Sequence, residues 1–149
     1  MDLYHKDGKN FKGENIKLTH CSGPIIFNDK REFLLHRAES TGKFQFTGGR
    51  LSDELSLREN AIFRPLEDLG IKVKLRDGVE PLIIVDKLVR DGDEETLVLV
   101  HYLADLNSEL SFETGEWVWK SFEEICLMDE NDELSSPNIK IACKYFLYL

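Results

Sequence analysis

Residues 43–75 confine a single helix between two strand patterns, and no other stretch limits the fold as tightly. In "KFQFTGG" Phe44 and Phe46 recur at period two, the mark of a short strand with one buried face. Ser56 and Glu59 then stand three residues apart, so a hydroxyl and a carboxylate can satisfy two otherwise orphan backbone donors where a helix begins. From there Ile62, Leu66 and Leu69 share one helical face, while Asn60, Arg64, Glu67 and Asp68 share the other. Gly70 is a natural stop for the helix, and "IKVKL" (71–75) resumes a strand pattern.

The flanking sequence is mostly β. "LTHCSGPIIF" (18–27) and "EFLLHRA" (32–38) surround "NDK" and read as a hairpin with its turn at Asn28-Asp29. "EPLIIVDKLVR" (80–90) and "TLVLVHYLADL" (96–106) are long β-branched runs on either side of the acidic turn "RDGDEE". "GEWVWKSFEEI" (115–125) reads as a strand entering a short helix. Ser136 followed by Pro137 marks a last helix over 137–149, with serine as cap and proline at the first helical position. Strands, helix, strands and helices in that order predict an α+β fold, a mixed β-sheet with helices packed on its faces as an α/β/α sandwich. The 149 residues make one domain, 1–149, with residues 1–15 as a loose lead-in.

Charge narrows the partners. With 19 basic and 28 acidic residues the net charge is −9, a field that repels nucleic-acid backbones and anionic membranes. A single nucleotide remains compatible, because a local cation overrules the distant field. Cys21, Cys126 and Cys143 are odd in number and form no C-x-x-C pair, which fits reduced thiols in a cytoplasmic protein. No apolar run approaches the ~20 residues that span a bilayer.

Chemistry concentrates in 48–71. Gly48-Gly49 lets backbone approach a ligand closely, and the acidic loop 52–54 with Glu67-Asp68 could gather carboxylates around a hard divalent cation. An acidic pair near a helix end is equally a solvated face. His36-Arg37 stands at a strand end, where Arg37 meets a phosphate or pairs with a surface acid. Trp117 and Trp119 point to one side of a strand and read as core, with a base-stacking platform as the alternative. His20 and His101 sit in apolar runs and read as packed residues.

The same stretch resembles the signature of the Nudix superfamily. That pattern is glycine, five residues, glutamate, seven residues, arginine-glutamate, an aliphatic, any residue, two glutamates, any residue, glycine, aliphatic. Gly49, Gly70 and Ile71 match without gaps, and Glu67-Asp68 stand on the paired glutamates. "FLLHRA", "KFQFTGGRL" and "GEWVWKSFEEI" resemble the family's flanking segments, so the resemblance covers roughly residues 18 to 127. It implies the Nudix fold, a pyrophosphohydrolase ancestry, and Mg2+ or Mn2+ wherever the site is active.

The departures fall inside the box (residues 49–71). Leu55 stands for the first glutamate, with Glu54 one residue earlier; Phe63 stands for the arginine, Arg64 for the next glutamate and Pro65 for the aliphatic. Arg64 precedes Glu67 and Asp68 by three and four residues, so its guanidinium can pair with the carboxylates that a cation would use. Pro65 removes an N–H from the helix and crowds the carbonyl of Ala61, which predicts a kink.

The resemblance therefore implies a degenerate box. The expected protein is a weakly active or non-catalytic nucleotide-binding or regulatory module. Its substrate-binding residues would be Arg37, Gly48, Gly49 and Arg64, with no metal required. The alternative is an active Mg-dependent hydrolase of a nucleoside diphosphate linked to another group. There Glu67, Asp68 and Glu54 carry the chemistry, and Glu67, Asp68 and Glu113 hold the metal. Glu116 lies in the same late loop as Glu113. A third reading is a partner-binding protein with a vestigial cleft. Similar proteins are frequently homodimers.

Overall fold

The structure, a computed structural model, describes residues 12–13, 17–52 and 54–149. The chain runs β1 (Lys17–Ile26), β2 (Glu32–Arg37), β3 (Phe44–Gln45), β4 (Gly49–Arg50), α1 (Leu57–Leu69), β5 (Val73–Leu75), β6 (Leu82–Arg90), β7 (Asp93–Leu106), β8 (Trp117–Ser121), α2 (Phe122–Glu130) and α3 (Asn138–Leu147). The expected α+β plan is present, with its strands divided between two sheets. The larger is β4-β1-β7-β5, with β6 also on β7; the smaller is β3-β2-β8. In the larger sheet β1 runs parallel to β7 and antiparallel to β4, so that sheet is mixed. The proposed lead-in lies outside the described residues except for Lys12 and Gly13.

The expected hairpin over 18–38 is only half right. The turn falls at 28–31, where the Asn28 amide donates to Glu32 O and the Asn28 side chain accepts from the amides of Lys30 and Glu32. Beyond one bridge, Phe27 to Phe33, the two strands diverge, β1 into the larger sheet and β2 into the smaller. Both runs are apolar at consecutive positions, which allows each strand to be covered on both faces. Ile25 joins one core with Phe33, Leu35, Ile125 and Phe146, and its neighbour Ile26 joins the other with Leu34, Ile71, Ala104 and Trp117. Trp117 is thus a core residue, and Trp119 packs against the same cluster.

Helix α1 begins and ends where the sequence predicts. Ser56 Oγ accepts from the Glu59 amide, the Glu59 carboxylate accepts from the Ser56 amide, and left-handed Gly70 closes the helix by donating to Leu66 O. Helix α1 continues through Pro65, which is buried. The expected faces hold only in part: Leu69 packs on the core and Glu67 and Asp68 are exposed, but the rest of the helix is turned. Asn60, Ala61 and Pro65 are buried, with Arg64 half-buried, whereas Ile62, Phe63 and Leu66 are exposed. A second capping box, Ser121 with Glu124, starts α2. At α3 the Ser136 hydroxyl accepts from the Asn138 amide, as the Ser-Pro start predicts.

Candidate binding cleft

The inward turn of Asn60 on α1 has a specific cause. Asn60 is fully buried, donates to Ser22 Oγ at 3.0 Å and to Gly49 O at 3.2 Å, and accepts from the Ser52 amide at 3.2 Å. Ser22 Oγ in turn donates to Leu57 O at 2.7 Å. A buried amide satisfied this fully is worth more inside than on the surface, and small Ala61 lets the helix approach β1. The network ties α1, β1 and the Gly49 loop together.

That closeness sets the backbone around the glycines. A Cβ at Gly23 would lie 2.3 Å from Thr47 O, and one at Gly48 (φ 128) would lie 2.7 Å from Ser22 O. Strand β1 and the β3–β4 loop therefore cross in backbone contact. At Gly49 the neighbour is a side chain: a Cβ there would lie 2.8 Å from Arg64 Nε and 2.9 Å from its Nη2. The guanidinium lies against the bare Gly49 Cα.

Arg64 reaches into a cleft of about 660 Å3 walled by Gln45–Gly48, by Pro65 and Asp68 of α1, and by the 113–114 turn. Its Nη2 lies 3.5 Å from Asp68 Oδ2, and its Nε is buried without a hydrogen-bond partner. Thr47 Oγ1 is the other buried side-chain polar atom without a partner among the described residues, and it lines the same cleft. His36, almost fully buried, donates from Nε2 to Thr114 O at 2.7 Å and stacks at a tilt on Trp117, which fixes the far wall.

The residues singled out in sequence divide into two groups. Gly48, Arg64, Asp68 and Glu113 line the cleft. Gly49 backs Arg64 and lines a smaller, mostly apolar cavity of about 270 Å3 on the other side of the 45–48 segment. Glu67 and Glu54 are exposed and line neither. Arg37 is engaged: its Nε donates to Glu116 Oε2 at 2.7 Å, its Nη1 donates to Gly42 O at 2.7 Å, and its guanidinium covers Phe44. The surface-acid alternative for Arg37 is the arrangement found. Of the two expected partners of Arg64, Asp68 is paired and Glu67 is not.

This donor set does not fit a divalent cation. Asp68 already faces a guanidinium, Glu67 is exposed and lines neither cavity, and no group of three or more His, Cys, Asp or Glu among the described residues is placed to hold an ion. In the smaller cavity burial lowers the pKa of His101 to about 4, and Phe46 meets its ring edge-on. Burial raises the Cys21 thiol, with Glu95 adding to the shift and Arg50 and Arg64 opposing it. In sequence His36 stands out only beside Arg37 at a strand end; its place in the wall, like the unpartnered hydroxyl of Thr47, depends on which segments cross.

Solved structures share this architecture. The E. coli ORF135 protein superposes with a TM-score of 0.68 at 24% identity, over 90% of this chain and 91% of its own. A NUDIX hydrolase from Nitrosomonas europaea gives 0.64 at 16% identity, over 87% of each chain. The C. elegans Ap4A hydrolase gives 0.62 at 17% identity, over 87% of this chain and 96% of its own. No family model matches the sequence, and no curated protein matches it either. The chain has the Nudix fold. Among the described residues no helix is long and apolar enough to cross a membrane.

Proposed function

We propose that this chain is a Nudix-fold binding module that holds a nucleoside-diphosphate-type ligand directly on Arg64, with hydrolysis weak or absent. One observation carries the reading: Arg64 lines a ligand-sized cleft while its Nε, packed against Gly49, has no hydrogen-bond partner. Leaving such a donor unsatisfied costs on the order of 1–3 kcal/mol, which a phosphate oxygen would recover once the guanidinium turns from Gly49 toward the cleft. A guanidinium offers its N–H groups as a planar fork suited to two phosphate oxygens, and the missing side chain at Gly49 leaves room for that of Arg64 at the cleft wall. The cleft volume falls within the ~300–1,000 Å3 range of small-molecule sites. The C. elegans protein of the same fold is an Ap4A hydrolase, which fits a phosphate-bearing ligand. The positive charge of Arg64 does locally what a metal bridge would otherwise do, so binding requires no divalent ion.

Calorimetry with a panel of diphosphate compounds, with and without magnesium, tests this. Binding should persist in chelator, and Arg64→Ala should weaken it by about 10- to 100-fold, the worth of one charge-assisted hydrogen bond or a pair. Magnesium-dependent turnover that disappears in Glu67→Gln would instead establish the hydrolase. No thermal-shift response to any nucleotide, with capture of a protein partner, would leave the cleft vestigial.

A further inference from the structure

At the far end of β2 from the cleft lies a separate cavity of about 570 Å3. Arg31 precedes the strand and His36 stands near its end, five residues on and roughly 17 Å away at ~3.3–3.4 Å per strand residue. The cavity forms where the 27–31 turn, the 76–80 loop and the end of α3 converge. Phe27, Leu103 and Phe146 give it a buried apolar floor.

Two guanidiniums flank the Phe27 ring, Arg31 at 5.9 Å and Arg76 at 5.6 Å from its centroid. Their situations differ. Arg76 is committed, donating from Nε to Asp105 Oδ1 at 3.0 Å and from Nη2 to Phe27 O at 2.9 Å. Arg31 makes one bond, from Nη2 to Leu147 O at 3.1 Å, and no ion pair among the described residues. That bond holds the last turn of α3 and fixes the guanidinium at the cavity wall. It leaves the Nε and Nη1 hydrogens available.

We infer that this cavity is a second binding site, one for a small amphipathic carboxylate whose apolar body lies on the Phe27–Leu103–Phe146 floor and whose head meets Arg31. The floor is apolar and aromatic, as in small-molecule pockets, and three charged side chains, Arg31, Arg76 and Glu80, complete the lining. A cap for α3 explains the Arg31–Leu147 bond but not an open apolar volume beside it. Glu80, which lines the cavity and makes no ion pair among the described residues, disfavours a second negative charge. A single-headed carboxylate therefore fits better than a diphosphate, and the two sites are chemically distinct.

Decanoate, below its micelle concentration, is the probe, with decanol as the uncharged control. Titrations of the full chain are followed by calorimetry and by amide shifts at 27–31, 76–80 and 145–149. Decanoate should saturate and bind about 10-fold or more tighter than decanol, a gap that Arg31→Gln should nearly close. Val79→Trp, which fills the cavity and leaves its charges, should abolish binding of both. Pyrophosphate should not displace decanoate, which separates this site from the Arg64 cleft. The assignment fails if decanoate does not saturate, if decanol binds as tightly, or if Val79→Trp binds unchanged.

Discussion

Gly49 and Gly23 look alike in sequence and should respond oppositely to a methyl group. At Gly49 the added Cβ meets the end of a flexible side chain, so the Arg64 guanidinium swings aside and the fold survives. Gly49→Ala should cost under ~1 kcal/mol of stability yet lower diphosphate affinity almost as much as Arg64→Ala. At Gly23 the Cβ meets a backbone carbonyl at 2.3 Å that cannot move without separating β1 from the β3–β4 loop. Gly23→Ala should destabilise by about 1–3 kcal/mol, the usual cost of overpacking. Thermal melts beside calorimetric titrations of the two variants distinguish these outcomes. A second residue-scale effect is acid sensitivity. Burial lowers His101 from 6.5 to about 4, so the folded chain holds it neutral while the unfolded chain protonates it below its ordinary pKa. Its contribution is fully present above pH 6.5 and is lost as pH falls toward 4, reaching about 3 kcal/mol. Stability of His101→Gln should depend less on pH than that of the parent across this interval. Denaturant melts from pH 4 to 7 measure the difference.

Helix α1 shows what a sequence can and cannot disclose about an element. Its ends are written locally: Ser56, Glu59 and Gly70 act on backbone groups a few residues away, and all three perform the expected roles. Ser56→Ala should cost about 1 kcal/mol, read from chemical denaturation. Its orientation is not local. Periodicity assigns Ile62 and Leu66 to the core, yet the helix turns Asn60, Ala61 and Pro65 inward because Asn60 finds three partners on β1 and the Gly49 loop. Those partners lie 8 to 38 residues away in sequence. The sheet partition was hidden for the same reason, since the continuous apolar runs of β1 and β2 suit a hairpin or two separate sheets equally. Leu66→Lys should therefore change stability by less than ~0.5 kcal/mol, whereas Asn60→Leu should cost several times more by taking the side-chain partner from the Gly49 carbonyl and the Ser52 amide. Of the site, the glycines and Arg64 were legible by position within the box. Pairing of Arg37 with a surface acid was one of two readings, but the choice of Glu116 and the unpartnered Thr47 hydroxyl were not legible, because both depend on loops that meet only in the fold.

The whole molecule and its cleft carry opposite electrostatic instructions. A net charge of −9 repels an incoming diphosphate over tens of ångströms at low salt, while Arg64 attracts it only within the cleft. Salt acts unequally on the two terms. The Debye length falls from ~30 Å at 0.01 M to ~10 Å at 0.1 M, which removes the distant repulsion, and a half-buried contact is screened far less. Association should therefore quicken as ionic strength rises over this range, while dissociation changes little, giving tighter binding at moderate salt. A site that draws anions in by a basic surface behaves in the opposite way. Stopped-flow mixing with pyrophosphate at 0.01 and 0.1 M salt separates the two rates. An association rate that falls with salt would mean that steering by an unrecognised cationic surface, rather than the single Arg64 fork, governs entry to the cleft. Arg64→Ala supplies the complementary check: it removes the close attraction and leaves the distant repulsion, so the residual binding should rise with salt more steeply than in the parent.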